Sequence, residues 1–326
     1  MSSRKILLDV RNLSKIYKKG STPVLNQVSL QIFEGETLGI VGESGCGKTT
    51  LARCLLRLID PTDGEITYNE EIIFQEKLRK RPMPLSMRKN MQIVYQSPQQ
   101  ATDPRMTVKK ILQEPLEIHN LYSTKEERDE RVLELLRAVE LDNSYLNKYP
   151  FELSGGEQQR LVIARALAVS PRFIVLDEAV SSLDLVLQSQ IIGLLKKLQD
   201  ECKLTYLFIS HDYMAINAIA HRIAVMYKGR IVEIADTYEL NRFPLHLYTK
   251  QLLSSVPRID LNCKFKEQEL HQLFNLELII PENNNGCPWC NACAHSTEAC
   301  RGVFPSLQEV RSGHYVACHN IQRILN

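Results

Sequence analysis

Eight residues, GESGCGKT from Gly42 to Thr49, fit the pattern G-x-x-x-x-G-K-[ST], and no other stretch restricts the fold of this chain as strongly. The pattern functions only between a strand and a helix. Amides of a glycine-rich turn then curl around phosphate groups, the helix N-terminus adds partial positive charge, Lys48 reaches the terminal phosphates and Thr49 offers a hydroxyl to Mg²⁺. The flanking sequence supplies both elements: TLGIV (37–41) is a continuous apolar run, and TLARCLLRLI (50–59) has helical patterning. MQIVY (91–95), FIVLD (173–177) and LTYLFIS (204–210) are further near-continuous apolar runs of the kind that form buried parallel strands. An α/β core is expected.

Three other stretches suit the same chemistry. In LSGGEQQRLVIARAL (153–167), Ser154 as N-cap and Glu157 three residues on predict a capping box. Gly155 and Gly156 then lie in the first turn with free amide donors, a second anion-binding helix start. In FIVLDEAVSSLD (173–184), a buried strand delivers Asp177 and Glu178 at its C-terminal end, where open α/β sheets bind ligands. Asp177 can hold the Mg²⁺ shell, and Glu178 can orient and polarise a water. His211 follows the next strand. Alone, a Ser-Gly-Gly is often a loop, an Asp-Glu pair is usually solvated and a histidine is more often structural. Together and in this order they favour nucleotide hydrolysis.

At 326 residues the chain exceeds the usual single-domain size, which predicts one large domain and a smaller appendage. From Pro98 to Leu153 the apolar β-runs give way to helical patterning, notably TKEERDERVLELLRAVEL (124–141), so a helical subdomain is expected over about 98–170. Composition changes again near Pro257, before the loop PENNNG (281–286). Lys and Arg number 40 against 38 Asp and Glu, which lacks the basic footprint of a nucleic-acid binder. No apolar run reaches the roughly 18–20 residues of a membrane span. The start, MSSRKILLDVRNLSKIY, has no signal-peptide pattern. These features read as a cytoplasmic protein, in which nine cysteines are thiols or metal ligands rather than disulfides.

The motifs resemble those of the ATP-binding cassette family. LSGGEQQR looks like its signature, FIVLDE its Walker B strand and glutamate, SSLD with Asp184 its D-loop, SHD its His switch, and Gln96 in IVYQSPQQ its Q-loop. Tyr17 stands where the family stacks an aromatic on adenine. The resemblance covers about residues 5–255. It implies a P-loop NTPase cassette with an antiparallel β subdomain and a helical subdomain. It also implies an ATP site built from Tyr17, Gly42, Ser44, Gly45, Gly47, Lys48, Thr49 and Thr50, with Mg²⁺ held by Thr49, Gln96 and Asp177 and catalysis by Glu178, His211 and Gln96. Two cassettes of this family dimerise head to tail, so that Ser154, Gly155 and Gly156 of one face ATP on the other. Two positions depart from the family: Glu157 replaces the commoner Gln, placing a negative charge near the partner's γ-phosphate, and Ala179 replaces Pro.

Toward the C-terminus, HLYTKQLLSSVP (246–257), GCPWCNACAHSTEAC (286–300) and HYVACH (314–319) resemble the extension of ATPase subunits in oligopeptide and dipeptide importers, parts of which nickel importers share. SPQQATDPRMTV (97–108) resembles the Q-loop segment of that group, with Asp103 where Asn is common. The match includes Cys287, Cys293, Cys300 and Cys318, with Cys290 an additional thiol and alternative ligand. Four thiolates suit an iron–sulfur cluster or structural Zn²⁺, and metal-free packing is the third reading. His295, His314 and His319 are nearby, with surface or packing roles expected; Cys46, Cys54, Cys202 and Cys263 read as ordinary small residues.

The resemblance thus implies a nucleotide-binding domain over 1–256 and a cysteine-bearing extension over 257–326. The chain would act as an ATPase at the cytoplasmic face of the inner membrane, powering import of oligopeptides or dipeptides. Two integral-membrane permeases, a second cassette subunit (the same chain or a different one) and an extracytoplasmic substrate-binding protein would be its partners. A nickel or metal-chelate importer ATPase, a soluble cassette ATPase and a poorly hydrolysing regulatory subunit are the competing readings.

Overall fold

The computed structural model describes residues 4–78, 82–256 and 286–325. The expected boundary at 257, Cys263 and the loop up to residue 285 lie outside them.

Of the N-terminal strands β1 (Ile6–Lys15) and β2 (Leu25–Phe33), β2 alternates buried with more accessible side chains from Val28 onward, the mark of an antiparallel sheet with one covered face, while its partner β1 breaks the alternation at Leu7 and Leu8, both buried. In contrast, β3 (Thr37–Val41) is buried at every position, as a central parallel strand requires. After the phosphate loop, α1 (Lys48–Leu55) leads to the hairpin β4 (Asp63–Tyr68) and β5 (Glu71–Phe74), which completes a four-stranded antiparallel sheet in the order β2-β1-β4-β5. A short α2 (Leu85–Asn90) then enters β6 (Met91–Val94).

Helices α3 (Val108–Ile118), α4 (Lys125–Ala138) and α5 (Gly155–Leu167) follow, in the region where the β-runs disappear. Thr124 and Glu127 form a capping box at the start of α4, whose Val132, Leu135 and Leu136 are buried beneath an otherwise charged surface. The chain returns through β7 (Phe173–Asp177), α6 (Leu185–Cys202), β8 (Thr205–Ile209) and α7 (Tyr213–Ile219) to β9 (Arg222–Tyr227) and β10 (Arg230–Asp236). Then come α8 (Thr237–Arg242) and α9 (Leu247–Ser254).

The large sheet runs β11-β12-β10-β9-β3-β8-β7-β6, where β11 (Gln308–Arg311) and β12 (His314–Val316) form a C-terminal hairpin. Pairings among β3, β6, β7, β8 and β9 are parallel, and β12 adds to β10 antiparallel at Glu233↔Val316 and Ile234↔Tyr315. Period-two alternation divides the core in two. Phe173 and Val175 of β7, with Leu207 and Ile209 of β8, pack on the antiparallel-sheet side, while Ile174, Leu176, Tyr206 and Phe208 pack on the side of the helices. This sandwiching fixes β3, β7 and β8 rigidly, and their C-terminal ends carry the candidate site.

Candidate active site

The phosphate loop joins β3 to α1 as the sequence predicts. Gly42 is required by close approach: a Cβ there would lie 2.1 Å from the Met226 carbonyl oxygen. Gly47, at φ 109°, is the N-cap of α1 and provides no side-chain cap, so the first-turn amides stay open for an anion. Lys48 is buried, and its Nζ donates to the carbonyl oxygens of Gly42 at 2.7 Å and Glu43 at 2.9 Å. The ammonium is therefore held under the loop. Ser44 and Gly45 are exposed at its crest.

Strand β7 runs beside β8, and β8 beside β3, so the ends of all three converge. Thr49 Oγ1 donates to Asp177 Oδ1 at 3.1 Å, although the two are 128 positions apart. Burial pushes the Asp177 carboxyl above its usual range, partly offset by the Thr49 bond. Two hard oxygen donors beside a phosphate loop form a donor set that fits Mg²⁺.

Glu178, next in the chain, has φ 52°, a left-handed backbone unusual outside glycine, and its N–H is held by the Ile209 carbonyl at 2.9 Å. Strain of this kind persists where surrounding structure imposes it. Its Oε1 lies 3.5 Å from His211 Nδ1, so the structure brings the two together. Ala179, where the family has Pro, is buried in the helical-side core. Gln96, exposed just beyond the end of β6, flanks the same edge, since β6 pairs with β7. Tyr17 is 56% exposed, its hydroxyl 3.4 Å from Thr50 Oγ1 and its ring centroid 5.2 Å from Lys15 Nζ.

The signature lies elsewhere. Ser154 caps α5, and its capping box is formed as predicted, Glu157 Oε2 accepting from Ser154 N–H at 2.7 Å. Among the described residues no hydrogen bond joins Ser154, Gly155 or Gly156 to the chain's own phosphate loop. Gly155 is exposed, while Gly156 is buried beneath Leu187. Asp184 caps α6 through Val186 and Leu187 N–H, behind exposed Leu185 and Val186.

Glu157 is engaged within its own subunit. Tyr145 Oη donates to its Oε1 at 2.5 Å, and these bonds hold its carboxyl below the usual range. Tyr145 carries no sequence signal for this role. Glu157→Gln is expected to cost about 1 kcal/mol of stability, because the amide offers one acceptor oxygen to two donors. Urea unfolding that shows the variant as stable as the wild type would contradict this.

Cys287, Cys290, Cys293, Cys300 and Cys318 line one cavity of about 20 Å³ together with His246, Trp289 and His319. Burial pushes the Cys287 thiol up to about 12 and the Cys293 thiol to about 11, values that bound thiolates would have to overcome. Among the described residues no group of three or more His, Cys, Asp or Glu could hold a metal ion. Thiolates are the soft donors that iron–sulfur and zinc sites use, but the described arrangement presents no assembled ligand set for either. His314 turns away from the cavity: its Nε2 lies 2.7 Å from Oε1 of fully buried Glu233, which also accepts from Leu245 N–H, while Oε2 accepts from His246 N–H. Glu233 belongs to no motif, but a carboxylate within the run RIVEIA is the exceptional residue in a buried strand.

Fold and phosphate loop together define an ATP-binding cassette ATPase. The family model described as "ABC transporter" matches residues 25–181, and the one described as "Oligopeptide/dipeptide transporter, C-terminal region" matches residues 232–300. The ATP-binding protein YkfD of Bacillus subtilis is 44% identical over 317 residues, covering 96% of this chain and 95% of that protein. The oligopeptide transport ATP-binding protein AppF of the same organism is 41% identical over 331 residues, 98% of each chain. Among solved structures, the ADP- and Pi-bound dimer of the cassette MJ0796 superposes with a TM-score of 0.61 at 31% identity, covering 71% of this chain and 99% of that one. CbiO1 of Clostridium perfringens gives 0.65 at 25% identity over 72% and 90%. The chain belongs to the oligopeptide/dipeptide group of ABC transporter ATP-binding subunits.

Proposed function

We propose that this chain is the ATP-hydrolysing subunit of an importer for oligopeptides or dipeptides, acting peripherally at the cytoplasmic face of the membrane. The observation that carries the reading is correspondence along the whole chain: AppF, named for oligopeptide transport, aligns with 98% of it, and the oligopeptide/dipeptide transporter C-terminal model matches residues 232–300. No helix among the described residues is long and apolar enough to cross a membrane, so permease subunits would supply the path. Residues 1–256 would form the nucleotide-binding unit and 257–326 the extension.

In this reading Tyr17 stacks on adenine, the amides of Gly42, Ser44, Gly45, Gly47 and Thr50 with Lys48 cradle the phosphates, and Thr49, Gln96 and Asp177 hold Mg²⁺. The ion would neutralise charge developing on the phosphates. Glu178 orients the attacking water and His211 steadies Glu178. Ser154, Gly155, Gly156 and Asp184 complete the site of a second cassette, whether a copy or a different chain. Catalysis then rests on positioning and electrostatic stabilisation.

Purification of the tagged chain from native membranes with ATP and vanadate should recover two multi-span permeases and a second cassette, and the cognate binding protein should bind peptides. Recovery only from the soluble fraction with ribosomes or repair proteins would overturn the transport role, and a binding protein selective for nickel would overturn the substrate class.

For the cysteine cavity we infer a four-iron cluster held by Cys287, Cys293, Cys300 and Cys318, with Cys290 as the spare thiol. Such a cluster bonds each thiolate to a different iron, so its ligands need not surround one point. Anaerobic purification should yield about four irons and four sulfides per chain. A folded, active, metal-free protein would remove the cluster, and one zinc per chain would replace it.

A further inference from the structure

One hydrogen bond crosses from the C-terminal part of the chain to the phosphate loop. Tyr248, buried in the first turn of α9, accepts the Glu43 N–H on its Oη at 3.2 Å. That N–H shares a peptide unit with the Gly42 carbonyl, which accepts from Lys48 Nζ. The Gly42–Glu43 peptide is therefore held at both ends, its oxygen by Lys48 and its nitrogen by Tyr248. When Lys48 turns to a phosphate, Tyr248 is the holder that remains.

Tyr248 is itself set by aromatic packing. Its ring centroid lies 4.4 Å from that of Tyr227 and 5.2 Å from that of Trp289, and Trp289 meets Tyr227 edge-on at 5.2 Å. Trp289 stands between Cys287 and Cys290, is buried, and its Nε1 has no hydrogen-bond partner among the described residues. Its position thus depends on ring contacts and on the walls of the cysteine cavity. Edge-to-face and tilted ring pairs have preferred geometries, so a shift of Trp289 is transmitted to Tyr248.

We propose that Tyr248 is a positioning residue for the phosphate loop and that Trp289 sets its place, so that the cysteine-bearing segment tunes nucleotide affinity through this ring cluster. The proposal rests on the ATPase reading above. It does not require any metal in the cavity.

The chain contains a single tryptophan, so Trp289 emission reports the cluster directly. A fluorescent ATP analogue measures binding in the full-length protein, and Trp289 emission is followed separately with unlabelled ATP. Tyr248→Phe keeps the ring and removes the acceptor oxygen. It should raise Kd for ATP roughly three- to tenfold and raise KM with kcat little changed. Hydrogen exchange at the Glu43 amide should accelerate even without nucleotide, while the melting temperature stays near that of the wild type. ATP should also shift Trp289 emission in the wild type, and Trp289→Leu should weaken binding non-additively with Tyr248→Phe. Failure of the wild type to bind ATP would overturn the ATPase reading and this proposal together. A wild type that binds, with Tyr248→Phe unchanged in Kd, would overturn the positioning role alone, and silent Trp289 emission or strict additivity would overturn the link to the cysteine segment.

Discussion

Glu178→Gln should leave ATP binding intact and slow hydrolysis by about 10²–10³-fold, within the range that a positioned general base contributes. The expectation comes from the way the residue is presented. Its backbone is held at φ 52° by the Ile209 carbonyl, and its carboxylate lies 3.5 Å from His211 Nδ1 on the edge that also carries Asp177 and Thr49. Gln is nearly isosteric and still fills that place, but its amide is far too weak a base to take a proton from water. The groups proposed to hold phosphates and metal are untouched, so affinity stays. Single-turnover hydrolysis in the assembled complex, beside equilibrium ATP binding, separates the two effects. Turnover within about threefold of the wild type would exclude Glu178 from this role.

A comparably large effect, on stability, is expected from Glu233→Ala. Three donors end on this fully buried carboxylate: Leu245 N–H, His246 N–H and His314 Nε2. Removing one partner of a buried pair costs about 3–5 kcal/mol, because the other is left without compensation. Among the described residues His314 is already without a partner at Nδ1, so truncation would strand the whole ring. The loss falls where β12 joins β10 and where α9 begins. Urea unfolding should therefore show a large drop in stability, and limited proteolysis should cut the C-terminal hairpin first. A loss below about 1 kcal/mol would mean that water replaces the carboxylate and that the hairpin does not depend on it.

How much of this was legible beforehand follows from the range of the interactions. GESGCGKT between an apolar strand and a helix, Ser154 with Glu157, and the runs that became β3, β6, β7 and β8 are local patterns, and the structure places elements at each of them. That the Glu157 carboxylate is engaged within its own subunit was not legible, because Tyr145, which draws it back, lies in a separate turn. Nor did the cysteine spacing reveal that Trp289 would lie against Tyr248.

The class of chemistry and the order of the elements are written locally along the chain, because hydrophobic periodicity, capping and glycine-rich turns act over a few residues. Tertiary structure alone decided which groups meet. Thr49 with Asp177, Glu43 with Tyr248 and Glu233 with His314 are separated by 128, 205 and 81 positions. Such pairs are set by the strand order of the large sheet and by how its two faces are filled, and neither quantity is contained in any short stretch of the chain.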